Sequence, residues 1–142
     1  MSAARIVLIE DNPADILLVE LALKENNIPY ELTNFTSGRD ALRVLCPSQD
    51  TAEDTLLPDV ILMDLNTPKS DGFQVLIQLK QSPRLAHVPI AILTSSSANS
   101  DRQRSAMQGV RFIQKPSNVN DFFATIGQAV REMLQAGTPT LQ

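Results

Sequence analysis

The stretch Val60-Ile61-Leu62-Met63-Asp64 decides the fold, because it joins a run of four apolar residues to a carboxylate at its end. A short apolar run of this kind is typical of a strand that is buried on both faces of a parallel sheet. In open α/β sheets, ligands bind outside the carboxyl ends of the strands. Asp64 is therefore the first candidate for a functional residue.

Three further strand-like runs also end in polar side chains. The runs and the residues that follow them are Arg5–Ile9 with Glu10 and Asp11, Ile90–Leu93 with Thr94, and Arg111–Gln114 with Lys115. The carboxyl ends of parallel strands meet at one edge of a sheet. We therefore expect the acids, the hydroxyl and the ammonium to share one site with Asp64.

Helix-like segments alternate with these strands. Asn12, Ser37 and Asn118 are residue types that cap helices, and Pro13 suits a first helical turn. The predicted helices are Pro13–Lys24, Gly38–Leu45, Gly72–Lys80, Ala98–Met107 and a last one after Asn118. Strict alternation predicts an α/β fold of the (βα)5 type, a doubly wound, flavodoxin-like, five-stranded parallel sheet. The most apolar strands belong in the centre, which favours the order 2-1-3-4-5.

Finer expectations follow from the same patterns. The first helix is apolar over much of its circumference and is expected to be well buried. Tyr30–Phe35 alternates in polarity and is predicted to be an edge strand. Pro47–Leu57 and Asn66–Asp71 are predicted loops, and Ala98–Met107 is predicted to pack weakly because it has few large apolar residues. We expect one domain over residues 1–134, a disordered tail over 135–142 and no output domain.

Composition narrows the class of protein. The 142 residues fit one domain, and the formal net charge of −4 disfavours direct binding of nucleic acid. No apolar stretch is long enough for a membrane span. Cys46 is the single cysteine and cannot form an internal disulfide, so the sequence favours a cytoplasmic location.

The predicted site suits phosphoryl transfer. A carboxylate such as Asp64 can act as a nucleophile toward phosphorus, and the reaction otherwise needs positioning and charge neutralisation. Mg²⁺ prefers oxygen ligands. Asp11 and Asp64 are predicted to bind it directly, Glu10 through a water, and Asn66 through its backbone carbonyl. The side chains expected to contact phosphoryl oxygens are Thr94 and Lys115.

The ordered motifs resemble the receiver domain of bacterial two-component response regulators. The matching segments are Ile6–Pro13, Pro58–Pro68 with Asp71-Gly72, Pro89–Ser95 and Phe112–Pro116. The resemblance implies that Asp64 accepts phosphate from a phosphohistidine on a sensor histidine kinase, and that Glu10 and Asp11 hold Mg²⁺. It implies a switch through Thr94 and Phe112, contact of Lys115 with the phosphoryl group, and commonly a cis bond before Pro116.

The finer pattern resembles the single-domain regulators that are paired with phytochrome-type kinases. Asp11-Asn12-Pro13-Ala14-Asp15 and Ser82-Pro83-Arg84-Leu85 are part of this likeness. The protein is then expected to be a signalling protein that catalyses only its own phosphorylation and dephosphorylation. Its output would be contact with a downstream protein that the sequence does not name. A homodimer also remains open. It would form through the face of the predicted fourth helix Ala98–Met107, the fifth strand Arg111–Gln114 and the predicted fifth helix after Asn118.

Proteins of three other classes share some of these residues or this topology. A phosphohydrolase of the dehalogenase type also uses an aspartate nucleophile, but its second acid is Asn66 here and no cap domain is predicted. A degenerate receiver used as a binding scaffold does not need the intact set of Asp11, Asp64, Thr94 and Lys115. A flavin carrier would need a Ser/Thr/Gly-rich phosphate-binding loop after the first strand, and this sequence has none there. Phe112 alone is also compatible with plain core packing.

Overall fold

Five parallel strands form one sheet in a computed structural model that describes residues 3–46, 57–65, 72–95, 103 and 109–136. The strands are β1 (Ala4–Ile9), β2 (Tyr30–Phe35), β3 (Val60–Asp64), β4 (Ile90–Thr94) and β5 (Arg111–Gln114). Their order is β2-β1-β3-β4-β5. The predicted fold class and strand order are confirmed, and the alternating strand β2 does lie at an edge.

Helices cover both faces of this sheet. In the described ranges the α-helices are α1 (Pro13–Glu25), α2 (Gly38–Leu45), α3 (Gly72–Gln81) and α4 (Val119–Ala136), with a 3₁₀ turn at Pro83–Leu85. The three predicted caps are confirmed, because the side chains of Asn12, Ser37 and Asn118 each accept a hydrogen bond from a backbone N–H of the following first turn. None of these helices is long and apolar enough to cross a membrane.

The core has two halves, one on each face of the sheet. Along β1, Ile6 and Leu8 pack toward α1 and α4, whereas Val7 and Ile9 pack toward α2 and α3. All five residues of β3 and all five of β4 are buried. This accounts for the continuous apolar runs that end in Asp64 and Thr94, since a central parallel strand has no solvent-facing side.

The register of the sheet determines which strand ends are neighbours. Ile9 is paired with Met63 across β1 and β3, so Glu10 follows β1 beside the end of β3 at Asp64. Thr94 is paired with Gln114, and the N–H of Lys115 donates to the carbonyl of Thr94 at 2.7 Å. The polar ends of four strands are thereby brought to one edge.

The expectation that α1 is well buried is wrong for part of the helix. Val19 and Leu23 are buried, but Leu17 is 55% exposed and Leu21 is 37% exposed. The helix packs on the sheet and on α4, and this contact covers only one side of its apolar circumference. Apolar residues on the opposite side are left at the surface.

Several predictions fall on residues that are not described. The loop at Asn66–Asp71 and the tail after Ala136 lie outside the described residues. So do the loop Pro47–Leu57, apart from Leu57, and the helix Ala98–Met107, apart from Gln103.

A side-chain clasp joins the end of α1 to α4. The amide of Asn26 donates to the carbonyl of Ala22 at 2.7 Å and to that of Phe123 at 2.9 Å. A Cβ added to Gly127 would lie 2.1–2.3 Å from three side-chain atoms of Asn26. The glycine therefore allows α1 and α4 to approach closely.

We expect Gly127→Ala to lower the free energy of unfolding by about 1–3 kcal/mol, because Asn26 must give up its hydrogen bonds. Without the clash, the same change in a helix interior would stabilise by up to about 1 kcal/mol. Urea unfolding of Gly127→Ala, Asn26→Ala and the double variant measures the coupling. Stabilisation by Gly127→Ala alone would contradict the clasp.

Candidate functional site

The polar residues predicted at the strand ends meet at one edge of the sheet. Glu10 is 2% exposed, Asp64 is 5% exposed and Thr94 is fully buried. Buried carboxylates and hydroxyls lose hydration and are retained where they have polar partners. Three acids and a lysine meet at the centre of this edge.

The ammonium of Lys115 lies between three carboxylates. Its Nζ is 2.7 Å from Asp64 Oδ2, 3.3 Å from Asp15 Oδ2 and 3.4 Å from Glu10 Oε1. An ammonium has three N–H donors, so each acid can receive one. The shortest contact is to Asp64.

Asp15 is the member of this group to which the sequence analysis assigned no site role. It lies in the first turn of α1, where its backbone N–H donates to the Asn12 side chain at 3.3 Å. A helix that follows β1 starts at the same edge of the sheet as the strand ends. The acid in the first turn of this helix was therefore the sequence signal that could have predicted a place in the site.

Glu10 is held at the bottom of the site by backbone groups. Its Oε2 accepts hydrogen bonds from the N–H of Asp11 at 3.0 Å and of Asn12 at 3.1 Å. The side-chain amide of Asn34 on β2 donates to the carbonyls of Leu8 at 3.0 Å and Glu10 at 3.1 Å. Asn34 thus secures the chain where β1 ends, a role that sequence reasoning did not find.

The electrostatics of the pair Glu10 and Lys115 follow from burial and charge. Burial, with the hydrogen bond and the negative charge of Asp64, raises the pKa of Glu10 to about 8. Burial lowers the pKa of Lys115, but the hydrogen bond to Asp64 and the surrounding carboxylates outweigh it and raise that pKa above its usual value. Lys115 therefore stays charged at neutral pH.

Other predicted residues are placed differently. Asp11 is exposed and lies outside the group formed by Glu10, Asp15 and Asp64. Phe112 is partly buried on β5, and Asn66 lies outside the described residues. No cis peptide bond occurs in the described ranges, so the bond before Pro116 is trans, unlike the common form that the resemblance implied.

The donor set of the site fits a hard divalent cation. One carboxylate oxygen each from Glu10, Asp15 and Asp64 lies within 4.8 Å of the others. Carboxylate oxygens are the ligands that Mg²⁺, Ca²⁺ and Mn²⁺ prefer, whereas softer metals select thiolate or imidazole. Three acids and one lysine also leave an excess of negative charge.

A comparison with family models identifies the class of protein. Residues 6–127 match the model of the response regulator receiver domain. The chain therefore belongs to the response regulator receiver family and is a signalling protein. Membership of this family implies a histidine kinase as its partner.

Particular relatives narrow the likeness. The chain is 37% identical over 122 residues to the response regulator Rcp1 of Synechocystis sp., covering 85% of this chain and 82% of that protein. A crystal structure of the phosphorylated cyanobacterial phytochrome response regulator RcpA has a TM-score of 0.81 at 32% identity, covering 97% of this chain and 98% of the other. The Mn²⁺-bound form of Rcp1 has a TM-score of 0.79 at 34% identity, covering 98% and 99%.

Burial of Glu10 predicts a pH dependence of stability in metal-free protein. A pKa raised from 4.5 to about 8 means that the folded state holds a proton that the unfolded state releases. The stabilisation that this proton gives to the folded state is fully present below pH 4.5 and is lost as the pH rises to about 8. We expect a fall of about 2 kcal/mol in the unfolding free energy from this group.

Chemical denaturation in EDTA across this pH range tests the assignment. Glu10→Gln keeps the neutral, hydrogen-bonding form and should show a smaller fall, whereas Glu31→Gln changes an exposed acid on β2 and should match the wild type. Equal pH slopes for Glu10→Gln and the wild type would contradict it.

Proposed function

We propose that the protein is a response regulator that accepts a phosphoryl group on Asp64 from a phosphohistidine of a sensor histidine kinase. The observation that supports this most is the buried Asp64 carboxylate at the end of β3, with the ammonium of Lys115 at 2.7 Å. A carboxylate in this position can attack phosphorus while a cation beside it receives the charge of the phosphoryl group.

The transfer needs few groups. A carboxylate oxygen of Asp64 forms a bond to phosphorus as the bond from phosphorus to the histidine nitrogen breaks, and the electron pair returns to the imidazole. Lys115 pairs with a phosphoryl oxygen, and the Thr94 hydroxyl donates a hydrogen bond to another. Water later attacks the phosphorus, the bond from phosphorus to the Asp64 oxygen breaks, and inorganic phosphate leaves as the Asp64 carboxylate is regenerated. The protein thus catalyses only its own phosphorylation and dephosphorylation.

The divalent cation in this proposal is Mg²⁺. Glu10, Asp11, Asp64 and the backbone carbonyl of Asn66 are the residues proposed to hold it. When bound, Mg²⁺ neutralises charge on the transferring phosphoryl oxygens. The oxygen-rich group at Glu10 and Asp64 and the Mn²⁺-bound form of the relative Rcp1 support this assignment.

The output is proposed to be a contact with another protein. Phosphorylation adds nearly two negative charges at Asp64. Thr94 moves toward the phosphoryl group, and Phe112 on β5 repacks behind it. The surface proposed to change is the face of β5 and α4, where a homodimer or a downstream protein would bind. The predicted helix Ala98–Met107 belongs to this proposal too, although it lies outside the described residues apart from Gln103. Residues 1–134 act as one receiver domain.

The kinase is proposed to be of the phytochrome type. The relatives support this, because RcpA is a cyanobacterial phytochrome response regulator and RtBRR and AtBRR are bacteriophytochrome response regulators. AtBRR is 34% identical to this chain and covers 99% of it. We propose a cytoplasmic location, where such a kinase domain and the receiver can meet.

We expect Asp64→Asn to abolish labelling by radioactive acetyl phosphate in the presence of Mg²⁺, because the amide is not a nucleophile toward phosphorus. Asp121→Asn, which changes an exposed acid in the first turn of α4, should label like the wild type. Phosphotransfer from candidate phytochrome-type kinases is measured with the wild type, Asp64→Asn and Asp121→Asn. Undiminished labelling of Asp64→Asn would overturn the acceptor assignment.

We expect Asp11→Asn to weaken Mg²⁺ binding roughly tenfold or more, because it removes one of the few carboxylates proposed as ligands. Calorimetric titration with MgCl₂ measures the affinity. Asp40→Asn, an exposed acid in the first turn of α2, is the matched control. An unchanged affinity of Asp11→Asn would remove Asp11 from the metal site.

A further inference from the structure

Asp15 differs from the other two carboxylates that surround the ammonium of Lys115. The side chains of Glu10 and Asp64 are 3% and 7% exposed, whereas that of Asp15 is 34% exposed. Glu10 is also bound by two backbone N–H groups. Asp15 is therefore the acceptor that can leave Lys115 most easily, because solvent can hydrate its carboxylate.

The three donors of Lys115 are matched to three acceptors before any phosphoryl group is present. The N–O distances are 2.7, 3.3 and 3.4 Å. Phosphorylation turns the Asp64 carboxylate into an acyl phosphate, so a phosphoryl oxygen can take the place of Asp64 Oδ2 at the ammonium, and Glu10 and Asp15 remain as its competitors. Of these two competitors, Asp15 is the more exposed and can leave Lys115 more easily, so its contact is the one that phosphorylation weakens.

The charge of Asp15 also acts directly on the phosphoryl group. Its carboxylate oxygen lies within 4.8 Å of oxygens of Glu10 and Asp64. Phosphorylation places close to two further negative charges beside it. Repulsion at this distance near a protein surface is substantial but is reduced by solvent and by salt.

We propose that Asp15 is a positioning residue that holds Lys115 in the unphosphorylated protein and competes with the phosphoryl group for it. The charge of Asp15 thereby lowers the fraction of Asp64 that is phosphorylated at equilibrium. The inference rests on the proposed function, and it adds a residue of α1 that opposes phosphorylation of Asp64.

The matched control for Asp15 is Asp121. Each lies in the first turn of its helix, and each donates its backbone N–H to a capping asparagine, Asn12 at 3.3 Å and Asn118 at 3.1 Å. Asp15→Asn and Asp121→Asn therefore remove the same charge from the same helical position. Only the first change lies beside Lys115.

The experiment measures binding of beryllofluoride, an analogue of the phosphoryl group, to the full chain at saturating Mg²⁺. We expect Asp15→Asn to bind it about 3–10 times more tightly than the wild type at low salt, with a smaller gain at about 0.5 M KCl. Asp121→Asn should show no gain, and Asp15→Glu should return the affinity toward the wild-type value.

A second readout tests the dependence on Lys115. In acetyl phosphate labelling, Asp64 attacks phosphorus and acetate leaves with the electron pair, so the labelled fraction at steady state reports the same balance. Asp15→Asn should raise this fraction in the wild-type background and raise it less in a Lys115→Gln background, because the competition for the ammonium is then absent.

The outcomes separate the inference from the function on which it rests. Equal affinities for Asp15→Asn and Asp121→Asn, or weaker binding by Asp15→Asn, would overturn the role of Asp15 and leave the proposed function standing. Failure of the wild type to bind beryllofluoride or to label on Asp64 would contradict the proposed function and the inference together.

Discussion

The contact between the Lys115 ammonium and the carboxylates of Glu10, Asp15 and Asp64 is the interaction on which the site depends. Three acids this close to one another repel, and two of them have side chains that are at most 7% exposed. Removal of charges from water is costly unless they are paired. The lysine supplies one positive charge for three acids, so the group keeps an excess of negative charge when the acids are ionised. Burial, followed by the hydrogen bond and the charge of Asp64, raises the pKa of Glu10 and favours its neutral form. The remaining excess is what makes the site suitable for a cation.

The parallel sheet supplies the geometry of this contact. Glu10 and Asp64 follow paired residues of β1 and β3, and Lys115 follows β5, two strands away from β3. The N–H of Lys115 donates to the carbonyl of Thr94, which extends the ladder between β4 and β5 by one residue. The long lysine side chain then reaches back across the edge to Asp64. Rigid neighbouring strands can hold such groups more precisely than loops can.

Two contacts in the molecule were not predicted from residue patterns. Asp15 looks in the sequence like an ordinary acid of a first helical turn, and only the packing of α1 over the strand ends brings it to Lys115. Asn34 looks like a polar residue of an edge strand, yet its amide bonds the last carbonyls of β1. The exposure of Leu17 and Leu21 is a similar case, because apolar periodicity shows that residues are apolar and not which side of a helix has a neighbour.

The sequence by itself determined the class of fold, the strand order and the positions of Glu10, Asp64, Thr94 and Lys115 at strand ends. The reason is that burial on both faces demands continuous apolar strands, and the polar residue that ends each one is therefore conspicuous. Only the tertiary structure decided which acids share the ammonium and how exposed each is. These quantities depend on where the helices pack and on contacts between side chains that are far apart in the sequence, such as Asp15 and Lys115. No local sequence pattern records such contacts.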